Sequence, residues 1–277
     1  MTVITNDNEL RQFMPNAIST VEGEASLFDK LHPYLANAEL WLIDNVIGRA
    51  YLLPELCNEN QLIDMLCKSI VAHHALLRAV PALDLVLTPN GFGIVSNSNV
   101  VPASKERIER LILSLEQTRD EEVQKLVYRL ATVESWNYTA LAQHFAGSMQ
   151  PNIFFVKKLG FTEHVWDKFI EYHDKAVDVE DSLAEEYFSP ELIRFWRKEM
   201  FLQHALSIEA NAIISAINEQ VIEVLKGGSI NHRRMVAAVN VIRNNPDDFP
   251  QWHASETAKL FSPPVFKNKK RSNGFWF

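Results

Sequence analysis

Residues 82–115 read ALDLVLTPNGFGIVSNSNVVPASKERIERLILSL, and here the hydrophobic periodicity changes from helical to strand and back. Asp84-Leu85-Val86-Leu87 alternates with β-favouring residues, Thr88-Pro89-Asn90-Gly91 is a turn, and Phe92-Gly93-Ile94-Val95 returns. The pattern predicts a β-hairpin over 83–96 projecting from a helical body. The Asn90-Gly91 pair supplies the positive φ angles that a tight turn needs. Downstream, Pro102-Ala103-Ser104 followed by Lys105-Glu106-Arg107 predicts a helix start with Ser104 as N-cap. A hairpin between two helices is an arm. Asn90, Gly91, Phe92 and Ile94 are therefore candidate contacts to a neighbouring subunit or partner.

Outward from this stretch, apolar residues recur at three- and four-residue spacing. They predict helices over 24–35, 38–52 and 60–80 before the hairpin, and over 104–117 and 120–132 after it. The second half predicts helices over 162–176, 179–188, 190–226 and 231–243, with Gly227-Gly228 stopping the longest. The expected fold class is mainly α, with strand a minor component.

The two halves also resemble one another. Tyr51-Leu52-Leu53-Pro54-Glu55-Leu56 recurs as Tyr187-Phe188-Ser189-Pro190-Glu191-Leu192, and His74-Ala75-Leu76 as His204-Ala205-Leu206. Trp136 to Phe145 (WNYTALAQHF) pairs with Trp252 to Phe261 (WHASETAKLF), and Asn152-Ile153-Phe154-Phe155-Val156 with Asn273-Gly274-Phe275-Trp276-Phe277. Four matches in the same order predict an internal duplication. Its units are 1–157, carrying the hairpin, and 158–277, each ending in a short aromatic strand. The hairpin has no counterpart in the second unit, where Gly227-Gly228-Ser229 is a short turn, so it reads as an insertion.

Composition narrows the function classes. The chain has 277 residues, 47% of them apolar, and a formal net charge of −8. That acidity argues against a surface built throughout to neutralise phosphate. Cys57 and Cys67 lie in apolar helical contexts and read as buried thiols of a reducing compartment. No segment approaches the roughly 20 apolar residues of a membrane span, and the first residues lack the pattern of a signal peptide. The expectation is a soluble protein made in a cytoplasm, with no membrane contact.

Catalytic motifs do not emerge. His73-His74 are adjacent on a helix and point about 100° apart, so the two cannot both face one ion at the core. Neither His-Glu-x-x-His nor Glu-x-x-His occurs, and His173-Asp174 reads as a surface dipeptide. There is no Gly-x-Ser-x-Gly elbow or phosphate loop. Glu180-Asp181 and Glu185-Glu186 read as a solvated helix face. We expect no catalytic residues, no metal and no cofactor. A helical hydrolase built on scattered histidines stays open as a rival without a motif.

The C-terminal stretch joins a basic cluster, Lys267, Lys269, Lys270 and Arg271, to the aromatics Phe275, Trp276 and Phe277. These are further candidate interface residues, through a strand that pairs with a neighbour and a basic loop facing an acidic partner. Binding of nucleic acid by stacking plus charge is the alternative.

Asn90-Gly91-Phe92-Gly93-Ile94-Val95-Ser96-Asn97, Asn99-Val100 and Pro102-Ala103-Ser104-Lys105-Glu106-Arg107 resemble a family encoded by phages and prophages of Bacteroides and relatives. Its members look like head–tail connector, or head-completion, proteins of the virion neck. The resemblance is specific over about 83–115 and looser over 38–80. It implies a structural virion protein at the head–tail interface, synthesised in a bacterial cytoplasm. It also implies a homo-oligomeric ring, of twelve subunits in the usual case, bound to the portal protein and to further neck or tail proteins. Packaged DNA would pass through the channel without sequence-specific contact. No catalytic residues come with it. The alternative from another class is a helical assembly factor that contacts nucleic acid through the basic C-terminal tail.

Overall fold

Ser26 and Asp29 form a reciprocal capping box in which the Ser26 hydroxyl accepts from the Asp29 N–H and the Asp29 carboxylate accepts from the Ser26 N–H. It starts a helix that runs from Leu27 to Leu42 (α2). A short helix, Asp7–Phe13 (α1), precedes it. The computed structural model describes residues 4–14, 25–48, 61–83, 85–88, 91–94 and 104–262. Within them the chain is mainly α-helical.

Beyond α2 come α3 (Gln61–Leu83), strands β1 (Leu85–Thr88) and β2 (Gly91–Ile94), and α4 (Lys105–Leu130). A 3₁₀ turn at Trp136–Tyr138, α5 (Ala140–Phe145) and a 3₁₀ segment at Ile153–Leu159 lead to α6 (Val165–Leu183). The rest comprises α7 (Pro190–Phe201), α8 (Ile208–Leu225), α9 (His232–Asn244), α10 (Pro250–His253) and α11 (Glu256–Leu260). α3 packs on both α2 and α4, while α6 packs on α8, α7 and the 153–159 segment. One continuous apolar core runs through both halves. Across it Trp136 stacks on Phe201 with ring centroids 6.0 Å apart, and Phe145 stacks on Phe169 at 5.8 Å. β1 and β2 pair antiparallel, with Leu85 opposite Ile94 and Thr88 opposite Gly91.

Several sequence readings are corrected. The helices expected at 104–117 and 120–132 are one helix, because the Gln117–Asp120 stretch is compatible with helix and its Arg119 and Asp120 are buried against other elements. The helices at 24–35 and 38–52 likewise merge into α2 as far as the described residues reach. Conversely, 190–226 splits. Gln203 takes a left-handed conformation (φ 57°), the His204 N–H donates to the Glu199 carbonyl at 2.9 Å, and the Gln203 N–H donates to Met200 at 3.1 Å. That is a Schellman close without glycine. Gly227 (φ 87°) closes α8 in the same way, as its sequence predicts. Phe154-Phe155-Val156 is not a strand but part of the 153–159 3₁₀ segment, started by the Asn152 side chain accepting from the Phe154 N–H. His74 is buried mid-helix in α3 whereas His204 lies in the exposed turn between α7 and α8, so that match pairs unlike positions. Ser104 has N-cap backbone geometry, but its side chain makes no capping bond. Tyr51–Leu56 and Asn273–Phe277 lie outside the described residues.

One construction occurs twice. Helix α2 ends in a π-turn at Ile43–Ile47 and α6 in a π-turn at Ala184–Phe188. The next residue is extended at positive φ in both places: Gly48 (92°, 150°) and Ser189 (67°, 142°). Its N–H donates five residues back at 2.7 Å each time, Gly48 to Ile43 and Ser189 to Ala184. A buried indole then locks each turn: Trp136 Nε1–H donates to the Ile47 carbonyl at 2.9 Å, and Trp252 Nε1–H to the Tyr187 carbonyl at 2.8 Å. Three residues after each tryptophan a hydroxyl caps a short helix, Thr139 accepting from Ala142 and Ser255 from Ala258, both at 3.2 Å.

Candidate functional site

The arrangement of most chemical interest is a cleft of about 1140 Å³ where α2, α3, α4 and α6 meet. Its floor is Trp41, from the last turn of α2. The His74 imidazole stacks on this indole, with centroids 4.4 Å apart and planes 16° from parallel. The Arg119 guanidinium sits 5.2 Å from the indole centre, within cation–π range. Trp166, in the first turn of α6, meets Trp41 edge-on at 5.3 Å.

The electrostatics follow from burial. Arg119 and Asp120 are 6% and 1% exposed and pair through Nε to Oδ1 at 2.9 Å and Nη2 to Oδ1 at 2.8 Å. Asp120 Oδ2 also accepts from the Trp166 N–H at 3.2 Å. A carboxylate on α4 thus satisfies an open N–H at the start of α6, where the helix dipole favours negative charge. Burial pushes the Asp120 carboxyl above its ordinary range, and the Arg119 charge opposes that. Arg119 Nη1 lies 3.5 Å from His74 Nδ1. Since a guanidinium can only donate, Nδ1 is the acceptor and the imidazole is neutral. Burial, then the Arg119 and Arg78 charges, hold the His74 pKa down at about 3. The floor therefore presents an aromatic face and a charge-compensated guanidinium. Pro81, in the last turn of α3, also lines the cleft, so its wall leads directly into β1 at Leu85.

The structure redistributes the residues singled out from sequence. Gly91, Phe92 and Ile94 fall in β2, paired by backbone to Thr88, Leu87 and Leu85. Asn90 and the tail residues Lys267, Lys269, Lys270, Arg271, Phe275, Trp276 and Phe277 lie outside the described residues. His73 and His74 diverge as expected: His73 Nδ1 lies 2.7 Å from its own helix's Ser69 carbonyl, while His74 turns to Arg119.

Two readings fail. Glu180 is not part of a solvated face: it is fully buried. Its carboxylate accepts from the Ser148 hydroxyl at 2.7 Å, the Met149 N–H at 3.0 Å and Arg197 Nε at 2.9 Å. Burial raises its pKa and Arg197 opposes the rise. Nor is His173 a surface residue. It is 1% exposed and lies beside His144, 4.1 Å between ring centroids. Neither partnership had a signal in the sequence, because Arg197 and His144 lie 17 and 29 positions from their partners.

Comparison with known proteins adds one match: residues 18–146 fit the model of a family of unknown function, DUF6712. No curated protein matches the chain. No solved structure matches it either. The matched span runs from before α2 through the end of α5 and includes the β1–β2 hairpin.

Proposed function

We propose that this protein is a structural virion component, a head–tail connector or adaptor subunit that forms a homo-oligomeric ring, binds the portal protein and further neck or tail proteins, and lets DNA pass. The observation carrying this reading is the hairpin between α3 and α4, the two longest helices described. Its sheet has two strands, so among the described residues each strand has one edge without a partner. An isolated two-stranded sheet is marginal in water, and open edges recruit strands from other chains. Rooted on two rigid helices, such an arm suits the head-to-tail contact that closes into a ring when its rotation fits. The resemblance over 83–115 supports the same reading.

The hairpin is, in this reading, an insertion into the first of two related helical units, 1–157 and 158–277. The repeated π-turn, positive-φ residue and indole lock support the duplication, with α2, α3 and α4 corresponding to α6, α8 and α9. The hairpin then stands where the second unit has only the Gly227–Asn231 turn.

Native mass spectrometry and negative-stain imaging of the full chain test the proposal. Rings are expected, and replacing residues 85–94 by a Gly-Ser linker should convert them to monomers that keep the parent's helical circular dichroism. A full chain that stays monomeric at about 50 µM and is absent from purified virions overturns it. The basic run Lys267–Arg271 favours a second reading, a helical assembly factor touching nucleic acid. That reading requires salt-dependent DNA binding that disappears when residues 267–277 are removed.

A further inference from the structure

Among the described residues, one group of side chains has the donor chemistry of a metal site: His144 at the end of α5, with His173 and Asp174 on α6. Their donor atoms all lie within 4.8 Å of one another. His173 Nδ1 is 3.1 Å, and His144 Nδ1 3.8 Å, from the same Asp174 Oδ1. Ligands held at about 2.0–2.1 Å around a tetrahedral ion stand about 3.3 Å apart. The two distances straddle that spacing, so small side-chain rotations would complete the geometry. Asp174, with a side chain 81% exposed, is free to make them.

We propose that His144, His173 and Asp174 bind one divalent transition-metal ion of the zinc class, pinning α5 to α6. Two imidazoles and one carboxylate suit Zn²⁺, Co²⁺ or Ni²⁺ rather than Ca²⁺ or Mg²⁺, which prefer all-oxygen shells. Phe169 packs on both imidazoles, with centroids 6.5 Å from His144 and 5.1 Å from His173, which limits their ring orientations. Arg197 is the nearby cation that would repel an ion, and it is already paired with Glu180 at 2.9 Å and Asp181 at 2.8 Å. The exposed side of Asp174 leaves room for water to complete the shell. Because the ligands come from α5 and α6, the ion would bridge the 1–157 and 158–277 segments. The sequence hides this: His144 stands 29 residues before His173, outside any metal-binding spacing.

The test uses full-length protein stripped with EDTA and dialysed, then titrated with ZnCl₂ against a chromophoric chelator, and with CoCl₂ to read the ligand-field spectrum. One Zn²⁺ per chain at micromolar affinity is expected, with a Co²⁺ spectrum of four-coordinate type and a Tm that rises on Zn²⁺ addition. Asp174→Asn changes an exposed side chain and leaves the fold intact. It should weaken Zn²⁺ at least tenfold, and His144→Ala should abolish the Tm response. Binding that is absent below about 100 µM, or unchanged in both variants, overturns the proposal. So does Zn²⁺ binding that survives in the His144→Ala/Asp174→Asn double variant, since it would belong to other histidines.

Discussion

The buried stack of His74 on Trp41 makes stability depend on pH in a defined direction. The His74 pKa is about 3 in the fold, against an ordinary 6.5. Above pH 6.5 the imidazole is neutral in folded and unfolded chains alike and contributes no slope. As pH falls below 6.5 the unfolded chain takes up a proton that the folded chain refuses, so stability drops by about 1.4 kcal/mol per pH unit. The loss reaches about 2 kcal/mol at pH 5 and about 4 kcal/mol by pH 3, where the folded state would itself protonate. Its cause is physical: an imidazolium here would be desolvated between Trp41 and the Arg119 and Arg78 charges. The perturbation is His74→Phe, which keeps an aromatic ring on Trp41 and cannot titrate. Urea unfolding of both proteins at pH 7.5 and pH 5 gives a difference of differences from which the other titrating groups cancel. The wild type should lose about 2 kcal/mol more than the variant over that interval. A double difference under about 0.5 kcal/mol would refute the reasoning, whatever the variant's absolute stability.

Two further outcomes are expected. Trp136→Phe and Trp252→Phe keep aromatic bulk but remove the indole N–H that the Ile47 and Tyr187 carbonyls accept. Each should cost about 1–3 kcal/mol in chemical denaturation, and a cost below about 0.3 kcal/mol in either would show that its lock is not energetically used. Gln203→Gly relieves a left-handed residue worth roughly 1 kcal/mol against a loss of about half that from the freer unfolded chain. It should stabilise slightly and raise Tm by about 1–2 °C, whereas net destabilisation in a thermal scan would show that the Gln203 side chain contributes contacts that outweigh the backbone strain.

Helices were legible where one face is apolar at three- and four-residue spacing, as in α3, whose Leu66 and Ile70 are buried, although Leu62 and Met65, of the same apolar spacing, are exposed. Helix ends were legible where the residue type dictates the backbone: Gly227 in the left-handed region, Pro190 at the first position of α7. They were lost where an ordinary residue takes the special conformation, as Gln203 and Ser189 do. The candidate sites fared differently. Arg119 and Asp120 drew no reading from the sequence because nothing local marks the helix start they serve at Trp166. Glu180 looked solvated because its partners Ser148, Met149 and Arg197 come from other segments.

By itself the sequence determined the mainly helical class and the close of α8 at Gly227. These rest on local periodicity and on backbone preferences that each residue carries with it. Only the tertiary structure decided that His74 is a neutral ring between an indole and a guanidinium, that Glu180 is a buried node, and that His144 meets His173 and Asp174. Those depend on desolvation and on partners far away in the chain, and both come into being only when the helices pack.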